Sequence, residues 1–394
     1  MKHLNRLTCL LLSFALLLSL AACGGSSAGG DAESSASGAA VSSSEAESAP
    51  AEEASASAST SAAEEKQAIV YKVGLFPPAE GDSSVPEAVQ SYCEAHQVEL
   101  VSVPDVPASA QDAAKSLEQL AAEGCNVVVM PGANYADALS ACAPQFPDLR
   151  FLAVGVSLEQ IPENACCLGV QEEEAGFLAG YMSVILGYTD LAFLGEEASP
   201  SDARYGTGFL QGASCAAMEQ GAMDNVKVEY ATCPGLEDEA VAAAVGKWYQ
   251  KGTQVVFAAE HFEAAAQAAA DAKALVIGAD VGDEALDKAV SQGVLLTSTV
   301  TDPTAALVYA LDAATVSGTW SALAGTEKRV GAEDGNELSK AVIGLSERTA
   351  WDYLFDQDDC ASLVDQLAEH DLYVTDESPE QQDLVVKLNR QTLS

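Results

Sequence analysis

The sequence predicts an α/β protein built from two doubly wound parallel-sheet lobes. Three observations carry this. Short apolar runs alternate with helix-period segments from residue 69 onward, the pattern of βαβ units whose strands are buried on both faces. The alternation starts afresh after one central helical stretch at 171–186. The length of 394 residues, with 48% hydrophobic content, is enough for two or three domains with sizeable cores.

The elements follow in order. Residues 69–76 read IVYKVGLF, a strand that stops at Pro77 and Pro78. A helix over 86–96, a strand over 98–103 and an amphipathic helix over 108–123, ended by Gly124, come next. An apolar strand over 126–130, a helix over 135–146 and strands over 150–156 and 165–170 complete the first half. The central helix opens with Glu172, Glu173 and Glu174, and carboxylates favour the positive end of a helix dipole. Leu178, Met182 and Ile185 make one stripe of it, and Gly176 and Gly180, four apart, leave room for another backbone to approach. The second half has strands over 191–195, 226–230, 254–259, 274–279 and 294–300. Helices over 205–221, 237–250, 262–273, 283–291 and 303–317 follow them, the last with Pro303 in its first turn, a favoured place. In such sheets ligands sit beyond the carboxyl ends of the strands. Residues 346–394 are acidic, carry Trp351, Tyr353 and Phe355, and read as a helical C-terminal extension on the surface.

The N-terminus is different in kind. Residues 1–22 carry Lys2, His3 and Arg6 and then an almost wholly apolar run from Leu7 to Leu20, too short for a membrane span but right for a secretory signal peptide. It ends in Leu20-Ala21-Ala22-Cys23, which looks like a bacterial lipobox with Cys23 as the acylated first residue of the mature chain. Dual acylation anchors a protein stably where one chain does not. Residues 23–67 are rich in Ser, Ala, Gly and Glu and cannot bury enough apolar surface to offset their ordering entropy. They read as a disordered acidic tether, or as a glycosylated stalk.

With 59 acidic against 18 basic residues, the formal charge is −41, which argues against nucleic acid and against electrostatic binding to anionic lipid. No serine elbow, Cys/His nucleophile pattern or paired catalytic carboxylates occur, so no enzyme is expected. The scattered histidines have no ligand spacing, and neither a metal nor a cofactor is expected. Of the ten cysteines, Cys9 leaves with the signal and Cys23 is acylated. Cys125, Cys166 and Cys215 read as small core residues, and the adjacent Cys166 and Cys167 point to opposite faces of a strand.

The order E-E-E-x-G-[FY]-L-A-G directly after a short strand resembles the basic membrane protein family, lipid-anchored substrate-binding proteins of ABC importers, several of which bind purine nucleosides. The resemblance covers roughly 69–345 and implies a type I periplasmic-binding-protein fold, two lobes about a hinge. It assigns 68–170 and 299–345 to lobe one and 171–298 to lobe two. The segment Met130-Pro-Gly-Ala-Asn-Tyr-Ala-Asp137 resembles the family's G-x-G-[FY]-x-x-D-A turn, which makes Asp137 a ligand residue and places Asn134 and Tyr135 at the same mouth. A cap or dipole role would equally account for a carboxylate there. Ile277-Gly-Ala-Asp280 resembles the family's I-G-V-D strand end, whose aspartate accepts from ribose hydroxyls; one carboxylate can take both hydroxyls of a vicinal diol. Tyr205 aligns with an aromatic that stacks on the base, or is a core residue of its helix.

Three departures bear on the ligand. The family's first loop carries D-x-S-F-N, and here Gly81-Asp-Ser-Ser-Val85 lacks the aromatic and the amide, leaving Phe76 as the substitute ring. Glu260 stands where the family has a Gly-rich turn, and Thr301 where it places a lysine. The expected function is an extracytoplasmic, lipid-anchored binding protein that takes a nucleoside-like solute between its lobes and delivers it to a permease. No G-x-x-x-x-G-K-[ST] occurs, so a separate ATPase subunit must supply ATP hydrolysis. The alternative is a sensor lipoprotein that presents its ligand to a membrane receptor without transport.

Overall fold

Parallel strands are buried on both faces, and the central strands of this chain are short, almost unbroken apolar runs. The computed structural model describes residues 70–78, 83–196, 198–334, 342–379 and 382–393. The signal peptide, Cys23 and the tether lie outside the described residues, as do 79–82 of the first loop. The strands in chain order are β1 (Lys72–Leu75), β2 (Glu99–Ser102), β3 (Val127–Pro131), β4 (Arg150–Val154), β5 (Ala165–Val170), β6 (Asp190–Gly195) and β7 (Lys227–Thr232). Then come β8 (Val255–Ala258), β9 (Leu275–Ala279), β10 (Leu295–Thr301), β11 (Thr326–Val330), β12 (Ile343–Leu345) and β13 (Lys387–Thr392). The helices are α1 (Ser84–His96), α2 (Ala110–Ala122), α3 (Ala136–Cys142), α4 (Glu172–Ile185) and α5 (Pro200–Gln220). They continue with α6 (Asp238–Lys251), α7 (Phe262–Ala272), α8 (Asp283–Gln292), α9 (Thr304–Thr315) and α10 (Gln357–Ala368).

Two sheets form. The first runs β11-β5-β4-β3-β1-β2, all parallel. The second runs β12-β10-β9-β8-β6-β7-β13, parallel except for β12 against β10. These are the two doubly wound lobes, within one unit spanning Tyr71–Ser394. The chain crosses between sheets three times: from β5 into α4, from β10 into α9, and from β11 to β12. One face of each sheet shares a continuous apolar core, in which α1 and α9 cover lobe one and α4, α5 and α10 cover lobe two. Separate cores fill the opposite faces, under α2 and α3 in lobe one and under α6, α7 and α8 in lobe two.

Several boundaries differ from the sequence reading. The helix expected from residue 205 starts at Pro200, because the Ser199 hydroxyl accepts from Asp202 N at 3.2 Å and caps it. Helix 135–146 narrows to α3 between two 3₁₀ turns, and Pro144 withholds a donor from the second. Residues 299–301 and 343–345, read as lobe one, belong to the second sheet. The extension is not all helix: it holds α10, and β13 on the free edge of β7.

The central helix α4 is buried on nearly every side. Its Gly176 and Gly180 meet the α5 backbone, where added Cβ atoms would lie 2.2 Å from Tyr205 O and 2.1 Å from Phe209 O. Gly208 and Gly212 of α5 are reciprocal, 1.8 Å from Glu173 O and 2.0 Å from Phe177 O. The eight cysteines among the described residues are all free thiols, and seven are buried. Burial pushes Cys93, Cys125 and Cys166 up to about 11, and Cys167 and Cys233 up to about 12.

Candidate functional site

In each sheet the first strand in sequence is flanked by strands wound in opposite directions, which opens a crevice at the carboxyl edge. In lobe one that switch lies between β1 and β3, followed by the loops at Phe76 and at Gly132–Asp137. In lobe two it lies between β6 and β8, followed by the loops at Glu196–Ser199 and at Glu260. A cleft of ≈ 400 Å³ opens between the lobes, lined by Ala136, Gly155 and Ser157 on one side and by Glu172, Ser199 and Arg204 on the other.

Asp280 follows β9 immediately and has φ +47°, a left-handed conformation that aspartate tolerates better than most residues. Its N–H donates to Thr299 O at 3.0 Å. Its carboxylate gathers three donors: Thr301 N to Oδ1 at 2.6 Å, Thr301 Oγ1 to Oδ2 at 2.8 Å, and Tyr205 OH to Oδ2 at 2.6 Å. A carboxylate has about four acceptor positions, so roughly one stays open to a ligand in this arrangement. Asp280 is open to water yet hemmed in by protein, and this desolvation raises its carboxyl in spite of the three donors.

Tyr205 is 3% exposed, with its ring edge-on to Phe257 at 5.9 Å. A ring so enclosed has no free face for a base; its contribution is the hydroxyl held on Asp280. Thr301 likewise acts on Asp280 rather than standing free as the replacement for a cation. Tyr135 is 2% exposed and donates to Pro77 O at 2.5 Å, and Phe76, fully buried, meets it edge-on at 5.5 Å. These two rings clamp the β1 and β3 loops together inside lobe one and offer no face to the cleft. Asn134 and Asp137 are exposed on the same loop and first turn, flanking Ala136, which lines the cleft. Glu260 is exposed beyond β8, and burial together with Asp202 and Glu196 raises its carboxyl. The structure thus joins Asp280, Tyr205 and Thr301 into one group and keeps Asp137 and Asn134 on the opposite lobe.

The sequence reading missed the ion pair in the cleft lining. Glu172 takes Arg204 Nε at 2.5 Å and Nη2 at 3.2 Å, with Ser201 Oγ donating at 3.0 Å. A usable signal was present: Arg204 sits early in a helix, where the dipole disfavours a cation unless a carboxylate answers it. Glu172 also adds to the field that raises Asp280.

The neighbouring Glu173 is 5% exposed. Arg329 and Arg204 stand 3.5 and 3.9 Å away, too far for strong charge-assisted bonds, and among the described residues nothing bonds its Oε2. Burial therefore prevails over the two guanidiniums and pushes its carboxyl up to about 7. A raised acid holds its proton in the folded state while the unfolded chain has already released it. Stability should fall as pH rises from the ordinary glutamate value to about 7, by at most on the order of 3 kcal/mol, and then level. Glu173→Gln should flatten this slope, as read by urea unfolding across that window.

The family model described as Bmp, ABC transporter substrate-binding protein PnrA-like, matches residues 73–349. No curated protein matches. An ABC transporter solute-binding protein from Conexibacter woesei DSM 14684 is similar in structure, with TM-score 0.56, 18% identity, and 78% of this chain and 99% of that chain covered. Another from Aeropyrum pernix K1 has TM-score 0.53 and 17% identity, covering 80% of this chain and 94% of that one. A transcriptional activator of the comK gene from Bacillus halodurans has TM-score 0.55 and 20% identity over 78% and 99%. At such identities the structural likeness is one of fold, a two-lobed periplasmic-binding-protein-like architecture.

Proposed function

We propose, since this chain belongs to the Bmp family of PnrA-like ABC transporter substrate-binding proteins, that its cleft captures a nucleoside-like solute and hands it to a membrane permease driven by a separate ATPase. The observation that carries the reading is Asp280: a carboxylate fixed by three donors at a strand end, solvent-facing, with an acceptor position to spare for a sugar hydroxyl. Asp137 and Asn134 are the partners from lobe one. With Phe76, Tyr135 and Tyr205 enclosed, recognition rests on the hydroxylated part of the solute more than on ring stacking. Lobe closure then buries the solute and signals occupancy. Isothermal titration against a panel of purine and pyrimidine nucleosides tests this; binding by none of them rejects the ligand class and leaves the solute-binding role standing.

We further propose that the protein is held to the outer face of the cell membrane through Cys23, with 24–67 as the spacer; the lipobox order Leu20-Ala21-Ala22-Cys23 supports it. Cys23→Ser is expected to move the protein from the membrane fraction to the medium or periplasm, with loss of the acyl mass from its N-terminal peptide. A variant still acylated and membrane-bound would refute the anchor.

A further inference from the structure

The chain beyond residue 349 lies outside the family match, yet its described part is fastened across the lobe junction rather than onto one lobe. It leaves lobe two beside β10, where Ala350 N donates to Leu296 O at 2.8 Å. Helix α10 then buries Cys360, Leu363 and Leu367 against α4, β12 and the turn at Ala332–Asp334, which belongs to the crossing from β11. Just after α10, His370 Nε2 lies 3.0 Å from Glu333 Oε2 in that turn. At Thr375 the segment is pinned to lobe two: Gln211 of α5 donates to Thr375 O at 2.7 Å and accepts from Thr375 N at 3.1 Å. One residue later, Asp376 pairs at 2.7 Å with Arg329 of β11, the edge strand of lobe one. The same guanidinium reaches Glu173 at the start of α4, and Glu174 accepts from Ala332 N at 2.7 Å.

We propose that residues 350–376 form a strap across the hinge that limits the relative rotation of the lobes, and so sets how far the cleft is open before any solute arrives. Rotation moves β11 against α5. The strap is fixed to α5 through Gln211 and to β11 through Asp376, only one residue apart, so it has almost no slack. The Arg329–Asp376 pair and the His370–Glu333 contact are each weak alone because their partners reach water. The hold comes from their attachment to a helix whose apolar face is packed into the shared core. The position is informative too: the strap lies along a crossing between the sheets, where a small constraint acts on the whole angle.

The test uses the full-length, solute-free protein, so its outcome does not depend on which solute binds. Distance labels are placed at exposed Glu118 of lobe one and Glu284 of lobe two by chemistry that spares the native thiols. In Asp376→Asn combined with His370→Gln, a second interlobe distance is expected to grow about threefold or more in population. Gln211→Ala should do the same by releasing Thr375 from α5, and circular dichroism confirms that each variant is folded. Distance distributions superimposable on the parent in both variants would overturn the strap. Should the double variant fail to fold, Asp376→Asn alone carries the same two outcomes, because it removes the strap's charge and leaves Arg329 on Glu173.

Discussion

Asp280→Asn is expected to weaken solute binding by about 100-fold, close to 3 kcal/mol, the size of a lost hydrogen bond to a charged group. Asparagine accepts the left-handed backbone at φ +47° as readily as aspartate does, so the turn after β9 keeps its shape. What changes is the charge. Thr301 N, Thr301 Oγ1 and Tyr205 OH all aim donors at this side chain, and an amide has only one oxygen to receive them. The position left for a hydroxyl of the solute is then taken internally or turned into a donor. Calorimetric Kd values for the two proteins, with thermal unfolding in parallel, read the effect; equal affinities would show that the cleft does not use this carboxylate. Tyr205→Phe removes one donor and keeps the enclosed ring, so its effect should be several-fold smaller.

Gly208→Ala should be the most damaging added methyl among the glycines of the described residues, costing about 3 kcal/mol or more of unfolding free energy. The added carbon would stand 1.8 Å from Glu173 O, 2.6 Å from its carbonyl carbon and 2.8 Å from its Cα. Those are backbone atoms of the first turn of α4, unable to rotate aside, and Gly176 and Gly180 opposite, with Gly212 on the same helix, make the whole crossing equally close. The displaced turn also carries Glu172 and Glu173, so the cleft ion pair would shift with it. Gly246→Ala is the counterpart: it lies within α6 with nothing inside 4 Å of the new carbon, and should stabilise by roughly 0.5–1 kcal/mol through helix propensity. Urea unfolding of the two variants gives opposite signs if the crossing is as tight as described.

The fold was legible because parallel central strands must be apolar on both faces. Val127–Pro131 and Val255–Ala258 are wholly buried, and the run of apolar residues in each shows a strand directly. Of the four edges only β2, read as a strand over 98–103, was legible; the other three were not, for the converse reason. β11 reads TEKRV and β13 reads KLNRQT, polar sequences suited to strands with one open side, and β12 has only three residues. At the site, the positions of Asp280 and Tyr205 could be read from the family's order of residues. The role of Tyr205 could not, since an aromatic with a polar tip serves equally as a stacking face or as an enclosed ring with a hydroxyl donor. The Glu172–Arg204 pair joins residues 32 apart in sequence, through a helix crossing that the glycine spacing hinted at on one side only.

The enclosed cysteines carry a last consequence. A thiol must ionise to attack a disulfide or to be oxidised quickly, and those held near 11 or 12 stay protonated at any pH a cell reaches. Once the chain is folded, these enclosed thiols are nearly silent towards glutathione and peroxide, and the half-buried Cys215 is the more accessible exception. The folded lobes are thus held by packing and hydrogen bonds, with no cross-link among the described cysteines.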